Sequence, residues 1–148
     1  PGVVITLERF LEEVDFISIG TNDLIQYALA VDRGNRDVVT LYNAGDPAVL
    51  RLIDLALTAA RRADVPAALC GQMSGNTIYA MILLGLGLRQ FSVPPSAILE
   101  IKKITRSVTL SQCQALARRA MQLDNACDVN VLLKDEMRKV APELALFA

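Results

Sequence analysis

The stretch "DFISIGTNDLIQYALA", residues 15–30, decides the fold class. Its first five residues are β-prone, Gly20 breaks the run, and Thr21-Asn22-Asp23 opens a stretch with helical character. This is the pattern of a strand, a turn and a helix. It recurs twice downstream. "VPAALC" (65–70) is a short apolar strand, and a glycine-containing turn leads from it to the apolar helix "TIYAMILLGLG" (77–87). Asn76 or Thr77 can cap that helix, and Gly85 and Gly87 close it. "RQFSV" (89–93) is a third short strand, ended by Pro94-Pro95-Ser96 and followed by the helix "AILEIKKITRS" (97–107).

The first two strands are separated by a polar loop over 31–46 and a helix over 47–63. Asp46 suits the cap of that helix and Pro47 its first position. Val49, Leu52, Ile53, Ala56, Leu57 and Ala60 repeat along it with a helical period. A helix over 4–14, with Ile5, Phe10 and Leu11 on its apolar side, precedes the first strand. Thr109 and Gln112 predict a capping box for a helix over 110–123. A last helix over 128–140 places Val129, Leu132, Leu133, Met137 and Val140 on one face. Nearly all-apolar strands spaced by helices predict parallel strands covered on both faces. Three such βα units suit an open doubly wound sheet or the second half of a (β/α)8 barrel. Both folds place chemistry at the C-terminal ends of the strands. Thr21, Asn22, Asp23, Cys70, Gln72, Ser92 and Ser96 all fall there.

Composition narrows the function. The chain has 148 residues, 53% of them hydrophobic, enough for one domain with its own core. Mean hydropathy is +0.37, which argues against disorder. Its longest apolar run, "YAMILLGLGL", is half of what a membrane span needs and contains two glycines. With no signal-peptide pattern at the start, the reading is cytoplasmic. Fifteen basic against 16 acidic residues leave no footprint for nucleic acid. Arg61-Arg62 and Arg118-Arg119 are expected on solvated helix faces. Three cysteines at wide spacings form neither a disulfide framework nor a zinc pattern. The absence of histidine rules out a Ser-His-Asp or Cys-His device, and a phosphohistidine, within these 148 residues. A start at Pro1 without a methionine is read as part of a longer protein.

Each candidate site residue has a plain and a chemical reading. Asn22 and Asp23 serve as helix caps, or form a hard-cation and phosphate site in which the carboxylate binds Mg2+ and the amide donates to a phosphoryl oxygen. Arg33 pairs with Asp32 at the surface, or clamps a phosphate or carboxylate if its loop folds over the site. Cys70 fills the core, or acts as proton donor or nucleophile. Cys113 and Cys127 are read as packing residues.

Three blocks together carry a family resemblance: "FISIGTNDLIQYALAVDRGN" (16–35), "LCGQMSGN" (69–76) and "LLGLGLRQFSV" (83–93). They closely resemble the C-terminal part of enzyme I of the bacterial phosphotransferase system, the phosphoenolpyruvate-protein phosphotransferases. The likeness covers most of residues 1–106 and weakens beyond. Pyruvate phosphate dikinase and phosphoenolpyruvate synthase share the TND and Cys-Gly elements and rank second. A non-catalytic regulatory paralogue is the third reading. The resemblance implies the last part of a phosphoenolpyruvate-binding (β/α)8 (TIM) barrel, in one domain: βα units over 1–106, C-terminal helices over 107–148. It implies a Mg2+ ion held by Asp23 and by a glutamate lost upstream of Pro1. It implies phosphoryl contacts from Asn22 and Arg33, and Cys70 as the group that exchanges a proton with the enolate methylene carbon. The acceptor is then a histidine on another domain of the parent chain, which passes the phosphoryl group to the carrier protein HPr. A homodimer is implied too. An isolated segment of this kind is expected to be inactive. Where the family usually reads Cys-Gly-Glu-x-Ala-Gly-Asp, this chain has Gln72 and Asn76, which leaves less negative charge around the thiol.

Overall fold

A computed structural model describes residues 1–144. The part of the expected C-terminal helical segment beyond 144 lies outside the described residues. The segment 4–14 is covered by two short helices, α1 (Gly2–Ile5) and α2 (Leu7–Leu11), separated at Thr6, which leaves the helical region at φ −114°. The expected apolar side is corrected with it. Leu7 and Leu11 are buried, whereas Ile5 and Phe10 are exposed.

The sheet has three parallel strands in the order β1 (Ile17–Gly20), β2 (Ala67–Cys70) and β3 (Gln90–Phe91). The fold class is therefore α/β, with a small parallel sheet and a preponderance of helix. Between β1 and β2 the chain forms α3 (Thr21–Leu29), a loop containing one 3-10 turn at Val39–Leu41, and α4 (Pro47–Arg62). Asp46 caps α4 as its sequence predicts, accepting from the Ala48 N–H at 2.8 Å. Between β2 and β3 lie one extra turn of helix, α5 (Gln72–Gly75), and α6 (Thr77–Leu86). Asn76 caps α6 through the Ile78 N–H. β3 is shorter than predicted because prolines follow so closely, although the Ser92 N–H still donates to the Leu69 carbonyl.

The remaining helices are α7 (Ile98–Ser107), α8 (Leu110–Ala120) and α9 (Ala126–Val140). The Thr109–Gln112 capping box opens α8. α6 is apolar on nearly all sides because it is the central helix. Ile78, Ala80, Met81, Ile82 and Leu83 are buried along it. Gly87 ends α6 in a left-handed conformation, but Gly85 does not close it. Gly85 lies inside the helix, where a Cβ would collide with the Cys113 carbonyl, so it permits the close crossing of α8.

The expectation that both sheet faces are covered is corrected. Ile19 and Leu69 point into the helical core. The other face, by strand alternation, carries Ser18, Ala68 and Cys70 and is only partly covered. Beside it, exposed Phe10 and Tyr27 line an apolar groove of about 410 Å³ along β1. Cys113 is fully buried as expected; Cys127 is exposed on the first turn of α9, contrary to its reading as a packing residue. The arginine pairs at 61–62 and 118–119 are exposed, as read. No helix of the described residues is long and apolar enough to cross a membrane.

Candidate functional site

The register of the sheet builds the site. Gly20 pairs with Cys70, so the ends of β1 and β2 coincide and the turns after them meet. Two hydrogen bonds join these turns and a third braces the second of them. The buried Thr21 hydroxyl donates to the Cys70 carbonyl at 2.9 Å. The Gln72 N–H donates to Asn22 Oδ1 at 3.0 Å. The Ser74 hydroxyl reaches back to the Leu69 carbonyl at 3.0 Å. Gly71 makes the contact possible. Its backbone sits at φ +96°, ψ −176°, and an added Cβ would enter the space of Thr21 Oγ1.

This changes the reading of Asn22 and Asp23 as caps. The residue before α3 is Gly20, no side chain caps the helix, and both residues lie in its first turn. Asn22 Oδ1 is engaged by the neighbouring turn, which orients the amide. Asp23 is exposed in the same turn. The Ser18 hydroxyl donates to Cys70 Sγ at 3.7 Å, so the thiol has a polar partner on the open sheet face and is not core filling.

The loop over 31–46 returns to this edge through Tyr42, a residue that sequence reasoning missed. Its hydroxyl donates to the Asn22 carbonyl at 3.3 Å. Burial pushes the Tyr42 phenol above its ordinary value, Arg33 works against that, and Asp23 adds to it. The Arg33 N–H is held by Gln26 Oε1 at 3.3 Å, and Asp32 accepts from the Gly34 N–H rather than pairing with Arg33. The only sequence clue to Tyr42 was its place near the end of a polar loop. Ser92 and Ser96 remain exposed, and Gln72 contributes its backbone while its residue stays exposed.

No group of three or more His, Cys, Asp or Glu side chains able to hold a metal forms among the described residues. Asp23 is an exposed oxygen donor of the kind Mg2+ takes, and Mg2+ commonly binds through one or two carboxylates with substrate phosphates and water. The residues fit such an ion only in part, as one ligand of a set completed by substrate.

The chain is thus a parallel βα sheet with the Asn22 amide, the Asp23 carboxylate and the Cys70 thiol at the C-terminal ends of its first two strands. The family model described as "PEP-utilising enzyme, PEP-binding domain" matches residues 1–110, and the chain belongs to that family. Among similar proteins is a phosphoenolpyruvate-protein phosphotransferase of Mycoplasma pneumoniae, 39% identical over 94% of this chain and 24% of its own length. Proteins of the same name from Cupriavidus necator and Bacillus subtilis are 42% and 36% identical, over 86% and 93% of this chain and 21% and 24% of their lengths. The chain spans about a quarter of the length of the curated relatives it matches.

Proposed function

We propose that this chain is the donor side of a phosphoenolpyruvate-protein phosphotransferase, formed from the last βα units and C-terminal helices of a (β/α)8 barrel. The observation that carries this is the meeting of the turns that hold Asn22 and Cys70, joined by Gln72 N–H to Asn22 Oδ1 and by the Thr21 hydroxyl to the Cys70 carbonyl, with Tyr42 bonded to the Asn22 backbone beside them. Asn22 donates its free N–H to the phosphoryl group, and Arg33 neutralises phosphoryl or carboxylate charge. Asp23 contributes one ligand to Mg2+. When bound, the ion supplies positive charge to the phosphoryl and enolate oxygens.

Cys70 is the proton donor. As the phosphoryl group leaves for a histidine on another domain, the C3 carbon of the enolate takes the thiol proton, giving pyruvate and a thiolate that recovers its proton from water. Ser18, bonded to the sulfur, holds the thiol on the open sheet face. Phosphoryl transfer needs mainly positioning and charge neutralisation, which suits a site of this composition. HPr is the downstream carrier, the assembly is a homodimer, and the setting is cytoplasmic.

Asn76 does not favour a silent regulatory paralogue. It caps α6, a task aspartate performs equally well, so exchange of one for the other preserves the fold.

The test uses the parent protein and this chain side by side. With labelled phosphoenolpyruvate and Mg2+, this chain alone should take up no stable label. In the parent, Cys70→Ala should slow phosphotransfer by about 100-fold or more, the range for loss of a general acid. Unchanged transfer would remove the thiol from the mechanism, and stable labelling of this chain would overturn the donor-side reading.

A further inference from the structure

The loop over 31–46 carries Arg33 at one end and Tyr42 at the other, and residues 32–37 are exposed. At its start the Val31 N–H is held by the Gln26 carbonyl and the Arg33 N–H by Gln26 Oε1. Its returning end is held by a residue 87 positions away. Asn130, on α9, donates from Nδ2 to Asn43 Oδ1 at 3.1 Å. The same Asn43 oxygen accepts the Gly45 N–H at 2.9 Å and closes a tight turn. Asn130 Oδ1 accepts in turn from the Tyr79 hydroxyl of α6 at 3.1 Å. Fit is close here. A Cβ on Gly45 would collide with Asn130 Oδ1. Burial pushes the Tyr79 phenol up to about 12, so it stays a donor at neutral pH.

Both ends of the Asn130 amide are therefore used, one on the rigid central helix and one on the loop. Asn43 is adjacent to Tyr42, which bonds to the Asn22 backbone. We propose that Asn130 is a positioning residue: it fixes the returning end of the loop to α6 and, through Asn43 and Tyr42, sets the loop that carries Arg33 against the first turn of α3. It touches no substrate. This rests on the reading above that Arg33 and Asn22 hold phosphoenolpyruvate. It adds that a terminal helix remote from the site in sequence determines whether the loop is in place.

Limited trypsin digestion of this chain tests it, because Arg33 and Arg36 lie in the loop and Arg106 does not. Asn130→Ala should raise cleavage at Arg33 and Arg36, relative to Arg106 in the same molecule, by about tenfold, the effect of losing one net hydrogen bond. Asn43→Ala should raise the ratio at least as much, because it also removes the acceptor of the Gly45 N–H, while leaving the Tyr79–Asn130 bond intact; adding Asn130→Ala to it should change little. In the full-length parent protein, phosphoenolpyruvate with Mg2+ should protect the loop, and the same variants made there should need about tenfold more of it. A merely structural role would raise cleavage at all three arginines together and leave the ratio unchanged. An unchanged ratio in both single variants overturns the proposal. Should Asn130→Ala fail to fold, Asn130→Asp decides instead: it keeps an oxygen for the Tyr79 hydroxyl, removes the donor to Asn43 and should raise the ratio. If the parent loop is not protected by phosphoenolpyruvate, the proposed substrate reading fails, while the cleavage ratio still decides the role of Asn130.

Discussion

Replacing Gly71 by alanine should destabilise the chain by about 3 kcal/mol. Two contributions add. At φ +96°, ψ −176° the backbone occupies a region open essentially only to glycine, and holding alanine there costs about 1–3 kcal/mol. The new Cβ would also run into Thr21 Oγ1 and lie 3.0 Å from Asn22 Oδ1. Thr21 is fully buried and its β-branched side chain is stiff, so the hydroxyl cannot swing to water. Displacing it breaks the bond to the Cys70 carbonyl and strands a buried polar group, a further ~1–3 kcal/mol. Relaxation of the turn returns part of the sum. Gly20→Ala is the control. It lies across the strand pair from Cys70, at φ −82° with nothing within 4 Å of an added Cβ, and should change stability by no more than about 0.5 kcal/mol. Urea unfolding of the two variants beside the parent measures the difference. A Gly71→Ala chain within about 1 kcal/mol of the parent, or no worse than Gly20→Ala, would refute the claim that the close approach of the two turns holds the site together.

Three further outcomes are expected. Iodoacetamide followed by mass mapping should modify exposed Cys127 first and half-buried Cys70 more slowly; Cys113, buried and with its thiol pushed up by burial, should react only on unfolding. In alkali the Tyr79 phenol is raised from 10.0 to about 12, so the unfolded chain loses that proton first; its stabilisation is complete below pH 10 and declines by about 1.4 kcal/mol per pH unit between 10 and 12. Tyr79→Phe should flatten that limb of a stability–pH curve, and an unaltered limb would assign the loss elsewhere. The unpaired edge of β1, with exposed Phe10, Phe16 and Tyr27 beside it, is expected to drive self-association. A monomer by light scattering at tens of micromolar contradicts this.

How much was legible in the sequence follows the reach of each interaction. The caps at Asp46, Asn76 and Thr109 were correct because cap and partner lie within three residues. Three parallel strands were legible because period and punctuation are local, although β1 and β3 were expected over 15–19 and 89–93 and form over Ile17–Gly20 and Gln90–Phe91. Asn22 was ambiguous for the opposite reason. Its side-chain oxygen has a choice between the N–H groups of its own helix and one 50 residues away, and the distant one wins because Gly71 brings that backbone within 3.0 Å. Gly85 looked like a helix stop until α8 packed against it. Cys127 looked like Cys113 until one face of α9 was turned outward.

By itself, the sequence determined a parallel α/β chain with its polar residues at the C-terminal ends of the strands, and the motif blocks by which the family is recognised. Hydrophobic period and glycine placement act over a few residues, so they survive without a structure. Only the tertiary structure decided that Tyr42 joins the site, that Asn130 anchors the loop from a remote helix, and that one sheet face is left partly open. Those results depend on hydrogen bonds and contacts between segments tens of residues apart, whose partners are set by packing and not by spacing along the chain.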